Sequence, residues 1–145
     1  MEEQQRQECI FCKIALKKIK TNIIVENENA LAFLDAFPLA KGHTLVIPKA
    51  HYSKIQDLDE NISQSVFNLL WKITNPVEKA MHVNGSTIAI HNGKEAGQEI
   101  PHVHIHIIPR NRGDGAGPVH SMFRNKPDVN SFDMSALAEY IKRNL

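Results

Sequence analysis

The stretch "PHVHIHIIPR", Pro101 to Arg110, constrains this chain more than any other segment. His102, His104 and His106 alternate with Val103, Ile105 and Ile107. A period of two is that of a β-strand, whose side chains point to opposite faces in turn. The spacing predicts a strand with imidazoles on one face and an apolar row on the other. That apolar row needs a covering layer. Residues 59–82 offer one, because Ile62, Val66, Leu69, Leu70, Ile73, Val77 and Met81 recur at helix-face spacing. Asp59 or Asn61 is placed to cap this helix, and Pro76 predicts a kink or a local adjustment.

Shorter elements complete the pattern. "NIIVEN" and "ALAFLDAF" read as strands joined at "ENEN". "HTLVIP" is a β-branched run after Gly42, closed by Pro48, and "STIAIHN" is a further strand. Residues 9–20 predict a short helix and "DMSALAEYIKRNL" a closing one. Residues 1–8 read as a frayed polar lead, and "RGDGAGPVH" and "NKPDVN" as a polar loop within 111–145. The order of elements predicts an α+β fold on an antiparallel sheet of about five strands, with a long helix and terminal helices. At 145 residues the chain suits one domain, 1–145, with its own core.

Composition narrows the function classes. Lys and Arg number 17 against 16 Asp and Glu, so no electrostatic footprint for nucleic acid is expected beyond a local patch at Lys17, Lys18 and Lys20. No apolar run is long enough for a bilayer, and "MEEQQRQE" is not signal-like, so the expected location is cytoplasmic with no membrane partner. In a reducing compartment the pair Cys9-x-x-Cys12 reads as metal ligands or a redox pair rather than a structural disulfide.

Successive residues on one strand face sit roughly 6.6 Å apart, so the outer two histidines stand about 13 Å apart. Three ligands on a straight strand therefore cannot share one zinc ion, whose bonds to nitrogen are about 2.0–2.1 Å long. The row reads instead as an array along an exposed groove. Neutral imidazole is available near pH 7, so one of the three can be a nucleophile while its neighbours donate hydrogen bonds or move a proton. The preceding loop, "HNGKEAGQE", brings Gly93 and Gly97 for close backbone approach to an anion. Asn92 and Gln98 add neutral donors for developing oxygen charge.

"HVHIHII" resembles the H-φ-H-φ-H-φ-φ signature of the histidine triad (HIT) nucleotide hydrolases and transferases. "CIFCKI", "ALAFLDAFPLAKGHTLVIPKAH" and "NGKEAGQEIPHVHIHIIPR" stand in that family's order and spacing, over most of the chain. The "CIFC" start and "IIPR" end are most similar to its Hint-like, prokaryotic-type branch. The resemblance implies a single HIT domain and a homodimer with two nucleotide sites on one continuous sheet. It implies His104 as the nucleophile at the α-phosphorus of a nucleoside phosphoramidate or related nucleotide, with His106 and Gln98 assisting. Release of a nucleoside monophosphate follows hydrolysis of the nucleotidyl-imidazole. A backbone carbonyl, that of His102 being the nearest candidate, is expected to hold the other nitrogen of His104 as a donor.

The resemblance also implies a purine nucleotide held by Asn92, Gly97 and Gln98 at the phosphate and by Asp35 at the ribose. His43 supports the triad, and Phe11, Ile14, Phe33 and Leu45 line the base slot or serve as ordinary core. It further implies a structural zinc on Cys9, Cys12, His51 and His102, which gives His102 a task separate from the other two histidines. His82 and His120 read as surface histidines, and the role of His91 stays open. Relatives carry Ser or Thr where this chain has Glu99, so Glu99 either points away from the phosphate or greets a cationic leaving group. The alternatives are a dinucleoside polyphosphate hydrolase and a non-catalytic nucleotide-binding interaction protein.

Overall fold

The computed structural model describes residues 2–145, with the side chain of Glu2 left aside. They form two compact units, one up to Asp114 and one over Gly115–Leu145. The first unit carries α1 (Glu2–Glu8), α2 (Ile10–Ala15), β1 (Ile23–Glu26), β2 (Ala30–Leu34) and β3 (Thr44–Pro48). It continues with α3 (Glu60–Ala80), β4 (Ser86–Ala89) and β5 (Ile105–Pro109). The second unit holds two 3-10 turns and α4 (Met134–Lys142), capped by the Asp133 carboxylate, which accepts from Ala136 N–H. Among the described residues no helix is long and apolar enough to cross a membrane.

The five strands run in the order β1-β2-β3-β5-β4 with every neighbouring pair antiparallel, as the α+β reading expects. Alternation sends Ala30, Ala32, Val46, Ile105 and Ile107 to one face. There the helix stripe Val66, Leu69, Ile73 and Val77 covers them. Leu31, Phe33, Leu45 and Ile47 point to the opposite face, where Phe11 and Ile14 of α2 pack. The sheet is thus clad on both sides, and Phe11 of α2 meets the rings of His102 and His104 just before β5. Helix α3 runs through Pro76 uninterrupted. The missing N–H leaves the Lys72 carbonyl without its helical donor, the local adjustment a proline imposes. Asp59 is the N-cap residue, but its carboxylate accepts from Tyr52 OH at 3.1 Å rather than from the helix.

Two elements differ from the sequence reading. The lead read as frayed is helical from Glu2 to Glu8. Glu, Gln and Arg are good helix formers, and without an apolar stripe the pattern was silent about them. The strand expected from His102 begins only at Ile105. Its ladder with β3 stops at Val46↔Ile105. Beyond that point Val103 N–H donates to Tyr52 O at 2.7 Å, and Pro48 O is taken by the His102 ring at 2.8 Å. A side chain has replaced a backbone rung.

Candidate active site

That exchange turns the histidine row inward. His102 is fully buried and His104 only 8% exposed, so the exposed groove expected for the array is corrected to a buried cluster. The last ladder residues and the irregular approach to β5 place the His104 and His106 rings 5.1 Å apart, centroid to centroid. Each ring has its own hydrogen-bond assignment. The His104 Nδ1–H donates to the His102 carbonyl at 2.7 Å, the contact expected from the sequence, which leaves Nε2 as a free lone pair.

A second chain of contacts orients His106. Leu39 N–H donates to His43 Nδ1 at 3.0 Å, so the proton of a neutral His43 sits on Nε2. His43 Nε2–H in turn donates to His106 Nδ1 at 2.9 Å. The His106 proton is therefore on Nε2, and this buried nitrogen has no partner among the described residues. A buried donor without an acceptor is costly unless a ligand satisfies it. Burial, followed by the neighbouring rings of His104, His43 and His91, pulls His106 down to about 4. Burial likewise lowers His104 and His43, with Asp35 opposing the shift at His43. These shifts favour the neutral form of His43, His104 and His106.

The rings open into a cavity of about 450 Å³. Phe11, Ile14, Phe33 and Leu45 line it and are also core residues of the α2-facing side. Phe11 presents its ring 5.1 Å from His104. Asp35 lines the cavity: Oδ1 accepts from Phe37 N–H at 2.9 Å, and Oδ2 lies 3.6 Å from His43 Nε2. Gly97 lines it as well, in a left-handed conformation at φ 92, with its N–H turned to Lys94 O.

Two expected phosphate contacts lie elsewhere. Gln98 is buried as a brace: Oε1 accepts from Gly93 N–H at 2.8 Å, while Nε2 donates to Ser53 O at 2.8 Å and Ile100 O at 3.0 Å. Both of its amide N–H donors are used on these two carbonyls, and neither is left for a phosphate oxygen. Asn92 Oδ1 accepts from Ile55 N–H at 3.0 Å and Nδ2 donates to Gln56 Oε1 at 2.9 Å, which ties the loop to the turn Ile55–Asp57. Polar residues in a glycine-bounded loop satisfied the local backbone first.

Beside the cavity, Cys9, Cys12, His51 and His102 bring one ligand atom each within 4.8 Å of one another, a set able to hold a metal ion. Cys9 Sγ lies 3.5 Å from His102 Nδ1, and Cys12 Sγ lies 3.3 Å from His51 Nδ1 and 3.6 Å from His102 Nδ1. Tetrahedral zinc, with bonds of about 2.3 Å to sulfur and 2.0–2.1 Å to nitrogen, puts S and N about 3.6 Å apart. The donor set fits. His102 Nε2–H on Pro48 O fixes Nδ1 as the ligand nitrogen, the carbonyl support common for metal-bound histidine. Burial and the adjacent Cys9 push the Cys12 thiol up to about 12, so a thiolate here calls for a cation.

A family model described as the HIT domain matches residues 17–113. The chain belongs to the HIT domain family. An uncharacterized HIT-like protein of Methanocaldococcus jannaschii is 44% identical over 109 residues, which are 74% of this chain and 82% of that one. The adenosine 5'-monophosphoramidase HNT1 of Saccharomyces cerevisiae is 40% identical over 103 residues, 70% of this chain and 62% of its own length. Among solved structures, a HIT family member from Bacillus subtilis superposes with TM-score 0.83 at 34% identity, covering 95% of this chain and 97% of that one. A zinc-bound histidine triad family protein from Mycobacterium smegmatis gives TM-score 0.71 at 34% identity, covering 87% and 88%.

In this HIT domain several contacts around the cavity have no counterpart in the side-chain motifs. His91 lines the cavity with its ring 5.6 Å from that of His106. Leu39 N–H and Pro48 O set the tautomers of His43 and His102 through the backbone, which no side-chain motif records. Glu99 lines the cavity, which has no Lys or Arg among its lining residues.

Proposed function

We propose that this HIT protein is a nucleotidyl hydrolase acting on nucleoside phosphoramidates or related nucleotides through a covalent intermediate on His104. The observation that carries the reading is the opposed polarity of two adjacent rings. His104 offers a lone pair at Nε2 and His106 an unused N–H, 5.1 Å apart by ring centroid, in one cavity. The His104 Nε2 lone pair forms a bond to the α-phosphorus while the bond from phosphorus to the leaving nitrogen breaks. With that nitrogen protonated, the amine leaves neutral and the imidazole takes the positive charge. The His102 carbonyl stabilises this cation through the Nδ1–H, a hydrogen bond that strengthens as charge develops. His106 Nε2–H donates to a phosphoryl oxygen. Water then cleaves the nucleotidyl-imidazole, releasing nucleoside monophosphate and one proton to solvent.

In this reading Asp35 accepts from ribose hydroxyls, and the wall of Phe11, Ile14, Phe33 and Leu45 takes a purine; their shared lining of the cavity supports it. Zinc on Cys9, Cys12, His51 and His102 is structural in this reading, since four protein ligands leave no open position. A homodimer belongs to it too: β4 is an edge strand with Ile88 exposed, and Phe67 and Trp71 stand exposed on α3. Sedimentation at the mass of a single chain would count against that part.

The test is release of AMP from adenosine phosphoramidate by the zinc-loaded protein. Turnover of dinucleoside polyphosphates alone would move the assignment to that class of hydrolase. Nucleotide binding without any turnover would make the chain a binding module.

The acidic rim makes a specificity prediction. Glu99 and Asp35 face a cavity without cations, so a leaving group bearing an ammonium is favoured over an anionic phosphate. Glu99→Ser is expected to lower the ratio of amine to phosphate leaving-group rates by about tenfold or less. An unchanged ratio removes Glu99 from specificity.

The neutral rings also set a pH dependence. His106 stands near 4 when folded against an ordinary 6.5. The folded state therefore binds fewer protons between these values, so stability is full above 6.5 and falls as pH drops toward 4. The acid limb of kcat/KM is expected below 6.5 for the same reason, and an inflection above it would contradict the neutral pair.

A further inference from the structure

Helices α1 and α2 and the segment after β3 border a second, open cavity of about 680 Å³. Arg6, Lys13, Lys18 and Lys49 line it against one carboxylate, Glu3. Lys49 shares Glu26 with Lys17, at 3.2 Å and 3.0 Å. Arg6, Lys13 and Lys18 have no ion-pair partner among the described residues. The charge balance is the reverse of that in the histidine cavity, which is lined by Asp35 and Glu99 and by no Lys or Arg.

Helix α2 walls the two cavities apart. Ile10, Phe11 and Ile14 line the histidine cavity, while Cys12, Lys13 and Leu16 line the basic one. At 3.6 residues per turn these sets lie on opposite sides of the same helix. A ligand in the basic cavity is therefore not a substrate overhanging the histidines.

Concave walls concentrate the field of like charges and draw in a counter-ion. The size lies within the range of small-ligand sites, about 300–1,000 Å³. The cations come from separate stretches of chain, at α1, α2, the turn after α2 and the end of β3. One phosphate carries about two negative charges and leaves much of this positive charge unmatched; a chain of phosphates carries enough to match it. Arg6 supplies a fork for two phosphoryl oxygens and the lysines supply point charges. Tyr52, which also lines the cavity, offers a ring for a base.

We propose that this cavity, which His51 and Cys12 also line, binds an oligophosphate, either the triphosphate chain of a nucleotide or inorganic tripolyphosphate, at a site separate from His104 and His106. The full zinc-loaded chain is titrated calorimetrically with tripolyphosphate and with α,β-methylene ATP, in the presence of excess AMP and without magnesium. Zinc content is measured before and after. Both probes are expected to bind wild type and to weaken as salt is raised. Lys18→Glu and the double variant Lys13→Glu/Lys18→Glu are each expected to weaken binding, the double by about tenfold or more, with melting temperature and AMP release unchanged. Equal affinity for the two probes identifies the phosphate chain as the ligand. Tighter binding of the nucleotide, lost in Tyr52→Leu, identifies a nucleoside triphosphate. Absence of binding, binding indifferent to both variants, or heat that tracks zinc loss overturns the proposal. So does a single-stranded oligonucleotide that needs Lys13 and Lys18 but is not displaced by tripolyphosphate.

Discussion

His104→Ala is expected to reduce AMP release from adenosine phosphoramidate by at least roughly 10⁴-fold, about 5 kcal/mol of barrier. The loss belongs in kcat. Neither of the other two triad rings can take over the attack. His106 is locked with Nε2 protonated by the chain from Leu39 through His43, and the His102 ring is turned to the cysteines and to Pro48. Nucleotide affinity is expected to change only a few-fold, because Asp35 and the apolar wall remain in place. A His106→Ala variant gives the contrast. It keeps the nucleophile and removes a donor, so its loss is expected at about 10²–10³-fold, the cost of one oxyanion contact. Similar losses for the two variants would make them a unit without a distinct nucleophile. Unimpaired release by His104→Ala would remove the covalent mechanism.

The alternation in "HVHIHIIP" and the stripe from Ile62 to Val77 made the sheet and its covering helix legible, because both are burial patterns and burial is what periodicity records. The same alternation misplaced the start of β5. Val103 bonding to Tyr52 and the His102 ring bonding to Pro48 exchange backbone for side-chain partners without changing the pattern of apolar residues. The glycine loop was legible as a loop, but the roles of Asn92 and Gln98 were not. An amide that braces a loop and an amide that awaits a phosphate are the same residue type in the same context. Only their partners at Ile55, Gln56, Ser53 and Ile100 separate the two. The reverse holds for the His43–His106 pair. Its direction depends on Leu39 N–H, a backbone group that every residue but proline supplies.

Removal of the metal is expected to lower the melting temperature by roughly 8–16 °C. Zinc at a thousand times its dissociation constant contributes about 4 kcal/mol, and a domain of this size shifts about 2–4 °C per kcal/mol. Dialysis against a chelator and the variant Cys12→Ser are expected to agree, with zinc content falling in both. Two thiols packed without metal would leave the melting temperature indifferent to the chelator, whatever a buried serine hydroxyl costs at Cys12. The fate of activity is the sharper result, because His102 serves two sites with different atoms. Its ring faces the cysteines, whereas its backbone carbonyl holds His104. Cys12→Ser removes the metal and leaves that carbonyl in place, braced by Val103 N–H on Tyr52 O next along the chain. AMP release well below the melting point should therefore survive in Cys12→Ser within about tenfold, the mild end of losses seen when support around a metal site is altered. A fall as large as that of His104→Ala would mean that the metal, rather than the strand, sets the position of the nucleophile.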